Sequence, residues 1–135
     1  MDIEHVLLAD YAEVVGGKLY LMGGGWDTNT VNELPAALRL AVALGLRIEW
    51  DETDLLIPVL IRIEDDDGRE YLRMEGSIQT TRPADLPDGA TQLSQLAANL
   101  PLTLPSAGGY NVRVLAGSGD NEVQRSLPFR VFKRA

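Results

Sequence analysis

Leu40, Val42, Leu44, Leu46, Ile48 and Trp50 put six large apolar residues on alternate positions, with Ala41, Ala43, Gly45, Arg47 and Glu49 between them. A period of two marks a strand that turns one face to a core and the other toward water. The spacing predicts a strand over 37–50. Leu55, Ile57, Val59, Ile61 and Ile63 repeat the pattern over 55–64, where Pro58 removes a ladder donor and points to an edge position or a bulge. Asp65-Asp66-Asp67-Gly68 is a hairpin turn, answered by a strand over 69–80.

The segment 4–15 is apolar on both faces, with Ile3, Leu7, Ala9 and Tyr11 on one and Val6, Leu8, Ala12 and Val14 on the other. Such a strand lies centrally in a sheet covered on each side, or against a second subunit. Gly16-Gly17 turns the chain into a hairpin partner over 18–22. Gly23-Gly24-Gly25 reads as a bulge or loop, and 28–35 as a connection. Leu93, Leu96, Ala97 and Leu100 have helical spacing, so 91–99 reads either as one or two helical turns or as an irregular edge segment. Leu100, Leu102 and Leu104 alternate between Pro101 and Pro105, and two further strands follow over 110–116 and 122–133. The sum is a single domain over 1–135, an antiparallel β-sandwich of immunoglobulin-like or jelly-roll-like type with seven or eight strands.

Twelve basic against twenty acidic residues give a net charge of −8, the wrong sign for a nucleic-acid or anionic-membrane surface. No apolar run reaches the roughly 18 residues of a membrane span. The start, Met-Asp-Ile-Glu-His, has no basic region ahead of an apolar stretch, so a cytoplasmic location is expected. Cysteine is absent, which removes disulfides, thiolate metal sites and a cysteine nucleophile.

His5 is the single histidine and lies on an apolar strand, where a structural role outweighs a catalytic one. The glycine run lacks the Gly-Lys-Ser/Thr of a phosphate loop and the helix that follows one. Acidic clusters at Asp51, Glu52 and Asp54, at Asp65–Asp67, and at Asp120 and Glu122 invite a calcium reading. In a meander the first two lie at opposite ends of one strand, roughly 30 Å apart at about 3.3 Å per residue. Asp10 shares a face with Val6, Leu8, Ala12 and Val14 and is expected to be buried, so it needs a partner. Glycine-loop N–H groups or Lys18 would make that partner structural. The sharper alternative is a ligand site formed by Asp10, Tyr11, Lys18 and Trp26, with no metal and no cofactor.

The stretch Leu8-Ala-Asp-Tyr-Ala-Glu-Val-Val-Gly-Gly-Lys-Leu-Tyr-Leu-Met-Gly-Gly-Gly-Trp-Asp27 resembles the opening of a family of small bacterial all-β proteins. Leu102–Tyr110 and Leu127–Val131 resemble its later part. The resemblance implies a compact cytoplasmic β-protein and carries no activity with it. Pro105, Gly108, Tyr110 and Val114 also resemble the last hairpin of immunoglobulin-like sandwiches, where the tyrosine packs at a corner. The functional expectation is a non-enzymatic interaction or structural module that forms a homo-oligomer or meets a protein partner.

Overall fold

The computed structural model describes all 135 residues as two packed β-sheets. The strands are β1 (Asp2–Val15), β2 (Lys18–Gly24), β3 (Thr28–Val31), β4 (Ala36–Ile48), β5 (Ile57–Asp65), β6 (Glu70–Ile78), β7 (Gln92–Leu104), β8 (Gly108–Ala116) and β9 (Val123–Lys133). The first sheet runs β2-β1-β4-β7 and the second β3-β9-β8-β5-β6. This is the predicted β-sandwich.

The period-two patterning builds its core. Leu40, Val42, Leu44, Leu46 and Ile48 of β4 face Ile57, Val59, Ile61 and Ile63 of β5 and Val112 and Val114 of β8, all almost fully buried. A large aliphatic side chain so enclosed contributes roughly 1.5–3 kcal/mol. Tyr110 is buried with them, and its hydroxyl donates to the Ser106 carbonyl at 2.6 Å, four residues upstream. That bond fixes the corner expected from the Pro105–Tyr110 spacing. Phe129 stacks on Tyr110 at 5.5 Å, and Trp26 meets Phe129 edge-on at 6.2 Å.

Several expectations change. Nine strands form, because 28–31 is not a plain connection but pairs in parallel with β9, from Thr28 beside Arg130 to Val31 beside Lys133. The segment 91–99 is neither helical nor irregular. It opens the long strand β7, whose Ala98, Leu100, Leu102 and Leu104 point into the core. The i, i+3, i+4, i+7 spacing of its apolar residues arises because both faces of β7 carry them, not because one helical stripe does. Pro58 sits in an interior strand, between β8 and β6. It is tolerated at the second residue of β5, beyond the first β5–β8 rung at Val59–Ala116, where its carbonyl accepts the Gly117 N–H. A register shift between Ile3 and His5 carries Ile3 to the core face beside Val6 and Leu8.

The small face of β4 is not near water. Ala41 and Ala43 are fully buried, and the His5 ring covers Gly45 so closely that a Cβ there would collide with it.

Candidate interaction surface

What buries those alanines is the chain's own first hairpin. β1 pairs with β4 only as far as Ala9 opposite Ala41. Beyond Asp10 it leaves β4 and approaches β7, still paired with β2. Ala12 arrives beside Asn99 of β7, whose carboxamide donates to the Ala12 carbonyl at 2.7 Å and accepts the Ala12 N–H at 3.2 Å. Ala9, Ala12, Ala41 and Ala43 then pack as one buried cluster, with Leu19, Leu21 and Ala97 against it. Alanine suits this seat because a larger side chain would hold the hairpin off the sheet. The second cover that the doubly apolar β1 calls for is therefore supplied from within the chain.

The hairpin has an opposite face. Register places Tyr11 across from Met22, Glu13 from Tyr20 and Val15 from Lys18, and all six turn away from the alanine seat. Tyr11 is 42% exposed, Tyr20 51% and Met22 68%. The Tyr11 hydroxyl donates to Glu13 at 3.2 Å, and the neighbouring Glu13 charge holds the phenol above its usual range.

Two of the four residues read as a ligand site share the base of this hairpin, and the other two lie elsewhere. Asp10 is exposed, not buried: β1 bends there, and the carboxylate lies over Gly23, whose φ of +61° and missing Cβ make room for it. Tyr11 is adjacent. Lys18 sits at the far end, four rungs from the Tyr11–Met22 pair, or about 13 Å at 3.3 Å per residue. Trp26 lies past the glycine run, half-buried against Phe129, with its Nε1 unpartnered. None of the larger surface hollows is lined by any of the four. The largest, of about 570 Å³, lies between Asp2–Glu4 and Val123–Arg125.

A scan against family models matches residues 4–132 to a family of unknown function, DUF6941. The chain belongs to that family. In this DUF6941 protein the matched span takes in both sheets, from β1 to the end of β9. The fold is also similar to the CARDB domain of a Pyrococcus furiosus protein, solved in complex with di-metal ions. The two share 15% identity, with a TM-score of 0.44, over 80% of this chain and 86% of that one. No curated protein matches the chain.

The acidic turns of the DUF6941 chain have local roles. Asp65, at the end of β5, accepts the N–H groups of Asp67 and Arg69 and the Tyr71 hydroxyl, each at 2.9 Å. The Arg69 N–H in particular holds its carboxyl below the usual range. Asp51, Glu52 and Asp54 lie at the other end of β5, and nowhere do three His, Asp or Glu side chains gather as metal ligands. On the outer face of the second sheet, Arg73, Arg62 and Arg113 share one rung. Arg113 pairs with the buried Glu64, and Arg73 with Glu70 and Glu75.

Asn99, Tyr20 and Met22 belong to no catalytic or ligand-binding motif of the sequence. The last two were legible, since Leu19 and Leu21 alternate with Tyr20 and Met22 across a predicted hairpin. A lone asparagine gives no comparable signal.

Proposed function

We propose that this DUF6941 protein is a non-enzymatic protein-interaction module whose docking surface is the outward face of the β1–β2 hairpin. The carrying observation is the pairing of Tyr11 with Met22 beside Tyr20, three large side chains held in the open on one rigid face. Tyrosine and methionine are enriched in interface cores, where they bring large contact area at modest entropic cost. Lys18 closes the row at its far end with a positive charge, and Glu13, across from Tyr20, accepts the Tyr11 hydroxyl within it. The alanine seat and the Asn99 carboxamide fix the hairpin's position, which lowers the ordering cost of binding.

The test compares immobilised wild type with a Tyr20→Ser, Met22→Ser variant in lysate of the source organism. A stoichiometric protein held by the wild type and released by the variant supports the reading. Equal recovery by both, or none by either, removes the hairpin face from the account. Both substitutions are on exposed side chains, and an unchanged circular dichroism spectrum confirms that the variant is folded.

A further inference from the structure

We infer that the free edge of β7 is a self-pairing surface, on which β7 of a second copy docks antiparallel to join two four-stranded sheets into one.

The two sheets leave four strand edges open, those of β2, β7, β3 and β6. An open edge presents unpaired N–H and C=O groups, and monomeric sandwiches blunt it with short strands, charges, prolines or bulges. Three of the four edges are blunted in this way. β3 has four residues. β2 starts at Lys18 and ends in two glycines, with Gly23 in the left-handed region. β6 carries Glu70, Arg73 and Glu75 within nine residues.

β7 differs. It spans thirteen residues, Gln-Leu-Ser-Gln-Leu-Ala-Ala-Asn-Leu-Pro-Leu-Thr-Leu, without one charged side chain, in a protein of which 24% is charged. Pro101 is its single protective residue, and Gln92–Leu100 precede it with every N–H intact. Within the chain the β7 backbone is hydrogen-bonded only to β4, while the β1–β2 hairpin lies against its outer face at Ala97 and Asn99.

The occupant follows from charge and symmetry. At a net charge of −8 two copies repel, so contact is favoured where no charges oppose each other. Antiparallel pairing of β7 with itself about Leu96 sets Gln92 opposite Leu100, Leu93 opposite Asn99 and Gln95 opposite Ala97. Every such pair is uncharged, whereas like charges set across a ladder are destabilising. An antiparallel pair of identical strands is isologous, so the assembly closes as a two-fold dimer instead of growing into a fibre.

Sedimentation velocity over a concentration series tests this, with hydrogen exchange as the second readout. The wild type is expected as a dimer, with amides of Leu93–Asn99 exchanging more slowly as concentration rises. A Leu93→Glu variant brings an unpaired carboxylate into the new ladder opposite Asn99 of the second copy, once on each side of the two-fold axis, and is expected as a folded monomer. The monomer tolerates the change because Leu93 is exposed and lies opposite Arg47. A wild type that stays monomeric overturns the inference, as does a dimer that survives the variant. A dimer lost only with Tyr20→Ser, Met22→Ser also overturns it, and leaves the hairpin reading standing.

Discussion

The carboxamide of Asn99 satisfies both backbone groups of Ala12, 87 residues away, in the way a neighbouring strand would. It does so where β1 has left β4 and those groups have no ladder partner. The expected result for Asn99→Ala is a loss of about 1–3 kcal/mol, for two hydrogen bonds at a partly buried site. Asn99→Asp does not restore it, since a carboxylate would then face the Ala12 carbonyl. Chemical denaturation measures the loss, and faster exchange of the Tyr11–Leu21 amides locates it.

Ala43 is fully buried beneath the hairpin, with Leu19 and Leu21 packed against its cluster. Ala43→Leu overfills that seat and is expected to destabilise by about 1–3 kcal/mol. The core face of β4 keeps its packing, so hydrogen exchange should rise in the hairpin and stay unchanged in β5 and β8. Uniform acceleration across both sheets would mean that the hairpin is not the element displaced.

Glu64 is buried and ion-paired to Arg113 on the neighbouring strand. Arg113→Ala leaves that carboxylate without its partner and should cost about 1–3 kcal/mol, the penalty of an unsatisfied buried polar group. Removing both charges, as Glu64→Leu with Arg113→Met, is expected to cost less than Arg113→Ala alone. Urea midpoints of the two variants decide the order.

Asp65 titrates below its ordinary value near 3.8, chiefly because its carboxylate accepts the Arg69 N–H. A carboxyl lowered in the folded state stabilises above its unfolded pKa, and that contribution is lost as pH falls through the folded value. Wild type should therefore lose stability in this acidic window, and Asp65→Ala should lack that component while being less stable at neutral pH. Urea midpoints taken from neutral pH down through the carboxylate range give the comparison.

The fold was legible wherever one face of a strand met the core and the other did not. β4, β5 and the β5–β6 turn follow directly from alternation and an Asp-Gly pair. β7 was obscured because its outer residues are also apolar, Ala97 lying beneath the hairpin and Leu93 beside Arg47. β3 has only four residues and pairs in parallel with the far end of the chain, so no local pattern announces it. Alternation along a straight strand puts Asp10 on the buried face, whereas β1 leaves β4 after Ala9 and the side chain is exposed. The doubly apolar sequence of β1 called for two covers; the following hairpin supplies one over Ala9 and Ala12, which nothing local showed, while Tyr11 and Val14 stay exposed. Asn99 acts through a contact 87 residues away, which no neighbouring residue signals.

The alanine seat divides the hairpin into a constrained side and a free one. Ala12, Leu19 and Leu21 are bound to the dimensions of the sheet beneath them, while positions 11, 13, 15, 18, 20 and 22 answer only to one another. The side chains of that outer row can thus be exchanged without renegotiating the scaffold beneath it.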